Sequence, residues 1–241
     1  MPMLPRVLEP ETLDHLAADD PVARRSRRDL RRVNRVMGAR AILVRALGRV
    51  APERRSTPLR VLEIGCGDGM LMLGVARFGP RALRDVDLTL LDRQPLVEAE
   101  TIAAYADAGW RAEILTTDVL AWAGEAHGAA RWDVVVCNLF LHHFEGDALA
   151  RLLGACARRA DALAACEPRR SRFALAASHL VAFIGANAVT RNDAVLSVRA
   201  GFVDRELSRA WPGAPDAWRL DEYDDGLFTH CFCAARTGMA P

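Results

Sequence analysis

The chain has 241 residues, 51% of them hydrophobic, and a formal net charge of +1. That length buries one good core, so one compact domain with a helical extension is the default. The balanced charge argues against a dedicated nucleic-acid or membrane-surface binder. No apolar run is long enough to span a bilayer and the N-terminus lacks a signal-peptide core, which points to a cytoplasmic protein. Six cysteines, Cys66, Cys137, Cys156, Cys166, Cys231 and Cys233, sit in apolar segments without zinc-ligand spacing and read as reduced, buried thiols. The sequence holds no lysine, so every base of that kind, whether catalytic, Schiff-base or Walker, is excluded.

Residues 1–19 are proline-rich, then acidic, and are expected to wrap the surface. A helical pattern starts at Asp20 or Pro21. Leu30, Val33, Met37, Ala41, Val44 and Leu47 recur at helical spacing and make one apolar face, with Gly38 a candidate bend. The other face carries Arg24, Arg25, Arg27, Arg28, Arg31, Arg32 and Arg35. It reads as a solvated face; contact with RNA or an acidic partner is the alternative, against which no aromatic residue interleaves. Ala51 to Pro58 read as a linker. We divide the chain into a helical cap, residues 1–57, and a main domain, residues 58–241.

From Leu59 strand and helix alternate. Strands are expected at Arg60–Ile64, Asp87–Leu91, Arg111–Leu115, Trp132–Cys137 and Ala162–Glu167, near Phe202–Leu207, and at Gly226–Ala235. Helices are expected over Asp68–Phe78, Pro95–Ala108, Val119–Ala126 and Gly146–Arg159, with a long helical insertion from Arg172 to Ala200. The order predicts an α/β fold with a doubly wound, mostly parallel seven-stranded sheet. The N-terminal helical cap and the insertion after strand five, about residues 168–200, would face the carboxyl ends of the strands, where ligands bind in open α/β sheets.

Val61 to Gly69 read VLEIGCGDG, a buried strand that ends in alternating glycines and turns into a helix. Such a turn binds nucleotides, because glycine reaches positive φ and the helix N-terminus offers free N–H groups. The third glycine comes too early for a dinucleotide fingerprint, and no P-loop Gly-Lys pair follows. VLEIGCGDG resembles the first motif of class I S-adenosylmethionine (SAM)-dependent methyltransferases. That resemblance implies SAM as cofactor, with Glu63 near the amino end of its methionine and Gly65, Cys66 and Gly67 against the ligand. Asp92, with Arg93 beside it, ends strand two, where an acid accepts from ribose hydroxyls or caps the next helix. By resemblance, Asp118 and Val119 meet the adenine. Asp118 also reads as a helix N-cap.

Asn138 to Phe144 read NLFLHHF and resemble the family's fourth motif, beside the sulfonium and the transferred methyl. His142 and His143 are the candidate bases, since a phenol attacks well only after losing its proton and histidine titrates near 6.5. On the substrate side we place Met37 of the cap and Glu167 and Arg169 of the EPRR cluster ending strand five. That cluster orients substrate or makes a loop salt bridge. His179 and Phe183 share a helical face with Asn187, which lines the pocket or packs in the core. His230 reads as a packed or surface histidine.

The resemblance implies methyl transfer to a small-molecule acceptor by a monomer or homodimer, with no metal. DLRRVNRVMG and the EPRR segment also resemble bacterial methyltransferases associated with type III polyketide synthases, which implies a phenolic or quinol-like polyketide methylated on oxygen. An RNA or protein methyltransferase, or a SAM-binding partner protein without turnover, are the alternatives. The N-P-P-Y-type motif of base-amine methyltransferases is absent, which argues against nucleic acid.

Overall fold

In a computed structural model, residues 4–51, 58–80, 83–124 and 130–238 are described. The strands are β1 (Leu59–Ile64), β2 (Val86–Asp92), β3 (Trp110–Thr116), β4 (Trp132–Asn138), β5 (Ala160–Pro168), β6 (Trp218–Asp225) and β7 (Thr229–Arg236). They form one seven-stranded sheet in the order β3-β2-β1-β4-β5-β7-β6. The first five strands pair parallel, while β7 runs antiparallel between β5 and β6. Strand order reverses at β1, so the crevice at the carboxyl ends of β1 and β4 is where this topology leaves room for a ligand.

The central strands are apolar on both faces because helices cover both. Val61, Val134, Val136, Ala162 and Ala164 point to one core, which α2 (Ala39–Val50), α3 (Met70–Phe78) and α4 (Ala99–Asp107) close. Leu62, Ile64, Val135, Cys137, Leu163 and Ala165 point to the other, closed by α5 (Val119–Gly124), α6 (Gly146–Arg159) and α9 (Glu206–Ala210). All six cysteines are buried and free. Among the described residues no helix is long and apolar enough to cross a membrane.

Three expectations need correction. The stretch Phe202–Leu207 is not a strand: Phe202 makes one isolated bridge to Arg169, and Leu207 lies on α9. The sixth strand is instead LDEYDD-bearing β6, whose polar alternation is masked because an edge strand buries little. The N-terminal helix breaks at its candidate bend, but its apolar face is not the expected one. Gly38 sits at φ 70°, so α1 (Pro21–Met37) ends and α2 begins there. The turn re-aims the apolar stripe, and the fully buried residues of α1 are Ala23, Ser26 and Asp29 rather than Leu30, Val33 and Met37. Finally, the insertion is α7 (Arg172–Ser178), a 3-10 segment at His179–Ile184, and α8 (Ala188–Ala200), broken at Gly185 with φ 79°. The shared face expected of His179, Phe183 and Asn187 therefore does not form. Most of the expected linker and the end of the Val119–Ala126 helix lie outside the described residues.

The acidic N-terminal segment is a strap, pinned on one side to α8. The Asp193 carboxylate accepts from Thr12 N at 3.0 Å and Leu13 N at 2.9 Å, and Val7 N donates to Arg199 O at 3.1 Å. Its other side crosses the carboxyl edge of the sheet. Arg93 donates to Asp14 O and Gln94 Nε2 donates to Leu16 O at 3.1 Å, both from the loop after β2. Arg6 Nη2 donates to Phe144 O at 2.9 Å, in the loop after β4. Since β1 lies between β2 and β4, the strap spans the end of β1.

Candidate active site

The site is built where β1 stops. Gly65, Gly67 and Gly69 all adopt positive φ, at 72°, 54° and 72°, a path that side chains rarely follow. Gly67 has open space where a Cβ would stand, whereas a Cβ on Gly65 would lie 2.1 Å from Phe140 Cδ2. The loop is held by its own backbone: Gly65 N donates to Leu91 O at 2.8 Å, and Gly67 N to Asp92 Oδ2 at 2.9 Å. Asp92 Oδ1 accepts from Gln94 N at 3.0 Å. Burial raises the Asp92 carboxyl, and the two backbone donors oppose that rise.

A cavity of about 650 Å³ opens on this loop, lined by Glu63, Gly65, Cys66, Gly67 and Asp68, by Asn138 and Leu139 of β4's end, and by α1 and α3. Glu63 is 3% exposed, and its Oε2 has no hydrogen-bond partner among the described residues. Burial first, then the charges of Asp68 and Asp92, holds its carboxyl well above the ordinary range. A buried acid with an orphaned oxygen at a cavity wall suits a cationic ligand group. Leu139 is in the left-handed region at φ 52°, unusual for a branched side chain, with its N–H bonded to Cys166 O at 2.9 Å.

Beyond Phe140 lies a second constellation, outside the cavity lining. Glu167, fully buried at the end of β5, accepts from Leu141 N at 2.8 Å, Phe140 N at 3.1 Å and His142 N at 3.3 Å. Its Oε2 also lies 2.8 Å from His142 Nδ1, while Glu11 Oε1 of the strap is 3.3 Å from His142 Nε2. Burial would lower the His142 pKa, but the bonds from Glu11 and Glu167 outweigh it and push it up to about 9. His142 is thus an imidazolium with both nitrogens engaged. Its ring centroid is 4.2 Å from that of His143, whose pKa is lowered by burial and by the His142 charge. His143 Nδ1 lies 3.4 Å from Asp14 Oδ2 of the strap.

Residues 61–161 match the profile of a family described as "Methyltransferase domain". The curated relatives include uncharacterized methyltransferases Rv0089 of Mycobacterium tuberculosis and Mb0092 of Mycobacterium bovis. Each is 38% identical over 98 residues, or 39% of this chain and 43% of the relative. Among solved structures, the plantazolicin methyltransferase BpumL in complex with SAH aligns with a TM-score of 0.60 at 14% identity, covering 90% of this chain and 91% of that one. The mitomycin 7-O-methyltransferase MmcR aligns at TM-score 0.56 and 22% identity, covering 93% and 60%. The chain has the fold of the class I methyltransferases.

In this fold, Glu63, Gly65, Cys66, Gly67 and Asn138 come together at one cavity. Asp92 and Arg93 lie beside it under the strap. Asp118 is exposed and caps α5, accepting from Leu120 N at 2.8 Å and Ala121 N at 3.0 Å, and Val119 is buried. Met37 is not among the cavity-lining residues. Arg169 pairs with Asp224 at 2.8 Å, away from the cavity. His179 is exposed and Phe183 is 86% exposed. His230 is buried between Asp224 at 2.8 Å and Glu222 at 3.0 Å, which raise its pKa against the effect of burial. Glu11 and Asp14 are absent from the sequence reading, because nothing in their local pattern tells which loop a strap will cross, and Phe140 enters it only as part of the NLFLHHF motif.

Proposed function

We propose that this chain is a SAM-dependent methyltransferase that methylates a small-molecule acceptor, on the oxygen of a phenolic or quinol-like polyketide. The observation that carries the reading is Glu63, a buried acid with an unpartnered oxygen facing a cavity floored by positive-φ glycines. Those residues fit the cofactor: Glu63 would take its ammonium, Gly65 and Gly67 its backbone-facing side, and Asp92 its ribose hydroxyls. Asp118 and Val119 would bound the adenine. When bound, the cofactor supplies an electrophilic methyl group.

The chain's part is to position, desolvate and deprotonate the acceptor. With both nitrogens held by carboxylates, His142 acts as a fixed positive charge. His143, neutral at physiological pH and oriented through Nδ1 by Asp14, is the base that takes the acceptor's proton on Nε2. Phe140 stands between the cavity and His143, so it swings from Gly65 as the acceptor enters. SAM titrations, followed by turnover of radiolabelled methyl with phenolic acceptors, test the reading. Binding without turnover on any phenol, quinol or amine would favour a partner protein that only binds SAM.

A further inference from the structure

The cavity is larger than the cofactor's amino-acid end needs. It follows α3 from the glycine loop to Arg77 and Phe78, eight residues beyond Gly69, or about 12 Å at the helical rise. Its opposite wall is α1, where Arg27, Arg31 and Arg35 recur every fourth residue and make a stripe of similar length. Arg40 completes the lining from α2. Against these five guanidinium groups the described lining sets two carboxyls, Asp68 and the buried Glu63.

Three of the five are already engaged. Arg27 donates to Ala18 O, and Arg31 lies 3.6 Å from Asp68. Arg40 lies across Gly74, whose missing side chain leaves room for it, and its guanidinium stands 4.8 Å from the Phe78 ring centroid. Arg35 and Arg77 are exposed and have no acidic partner among the described residues. Two unpaired, permanently charged forks at the far end of a cavity suit a bidentate oxyanion.

We propose that the methyl acceptor is an anion, a small molecule bearing a carboxylate or phosphate that Arg35 and Arg77 hold at the outer end of this cavity. The proposal rests on the methyltransferase reading. It makes the arginine stripe of α1 an acceptor-side wall rather than a solvated face. The anchored end lies away from the glycine loop, which leaves the other end of the acceptor near Asn138 and Leu139.

Calorimetry on protein saturated with S-adenosylhomocysteine tests this. The probes are 4-hydroxybenzoate, its neutral counterpart 4-hydroxybenzyl alcohol, inorganic phosphate and a twenty-nucleotide single-stranded RNA. The expected result is that 4-hydroxybenzoate binds at least tenfold more tightly than the alcohol. The double variant Arg35→Gln/Arg77→Gln should lose that preference while keeping its affinity for S-adenosylhomocysteine. Binding of phosphate alone by the same two residues would assign the site to phosphorylated acceptors, and binding of the benzoate alone to carboxylates. Equal binding of the benzoate and the alcohol with no phosphate binding, or an unaltered double variant, overturns the proposal. RNA that outcompetes both anions through the same arginines overturns it too. A double variant that loses S-adenosylhomocysteine instead would give these arginines to the cofactor's own carboxylate. Failure of the wild type to bind S-adenosylhomocysteine defeats the underlying reading rather than the anion site alone.

Discussion

His142 Nδ1 lies 2.8 Å from Glu167 Oε2, and both side chains are buried at the end of the sheet. With Glu11 on the ring's other nitrogen, the histidine is charged in the folded protein and ties the strap to the loop after β4.

That charge gives stability a pH dependence. The folded-state pKa of His142, about 9, is above its unfolded value near 6.5. Its stabilisation is therefore complete below pH 6.5 and is lost as pH rises through 9. His143 has the opposite sign: its lowered pKa costs stability at acid pH, and that cost disappears by about 6.5. Urea unfolding should show a fall in stability from pH 7 to 9.5 that is markedly flatter in Glu11→Gln. An equally steep fall in that variant would mean that Glu11 does not hold the proton on His142.

The strap should open when its anchor on α8 is cut. Asp193→Ala leaves Thr12 N and Leu13 N without their acceptor, a loss of roughly 1–3 kcal/mol. Opening of the strap should then rise about tenfold or more, read as faster proteolytic cleavage before Asp20. The association rate of S-adenosylhomocysteine should rise with it, because the strap spans the end of β1. Faster cleavage with an unchanged association rate would show that the strap does not gate the crevice.

The loop geometry predicts the effect of one methyl group. Gly65→Ala puts a Cβ 2.1 Å from Phe140 Cδ2 at a φ of 72°, so either the ring leaves or the loop shifts. A left-handed alanine alone costs roughly 1–2 kcal/mol. Thermal unfolding should register that loss, and fluorine NMR on labelled phenylalanines should report a moved Phe140 signal. A variant as stable as the wild type would contradict the close approach.

The two histidines should separate in kinetics. His143→Ala should lower turnover by about a hundred- to ten-thousand-fold with activity recovering at high pH, as expected for a lost general base. Asp14→Asn should lower it less. His142→Gln should weaken stability and strap closure but keep a pH-dependent turnover, its rise moved to higher pH because the charge that lowers His143 is gone. The assignment fails if His142→Gln abolishes the pH dependence and His143→Ala preserves it.

The sheet was legible because its strands carry continuous apolar runs between glycine and charged turns, and the Gly65–Gly69 loop because strain needs glycine there. β6 was hidden because DEYDD is an edge strand that buries little, so its polarity resembles a loop. The bend at Gly38 was foreseen, but its left-handed geometry turns α2 enough to bury Leu43, Ala46 and Leu47 while withdrawing Met37 from the cavity. The charge on His142 was illegible in NLFLHHF. It depends on Glu11, 131 residues away, and on Glu167, 25 residues away, meeting one ring. A sequence names a histidine but carries no record of its two carboxylate neighbours.

Calorimetric titration of S-adenosylhomocysteine into wild type and Glu63→Gln, in two buffers of different ionisation enthalpy at pH 7, tests the central claim most directly. Burial raises the Glu63 carboxyl, and a ligand ammonium beside its orphaned oxygen would bring it back down and favour its ionised form. The wild type should bind with release of protons to the buffer. Glu63→Gln should release fewer and bind more weakly by roughly 1.5–3 kcal/mol, the scale of a lost charged hydrogen bond. No binding by the wild type, or identical proton release and affinity in Glu63→Gln, would contradict the account.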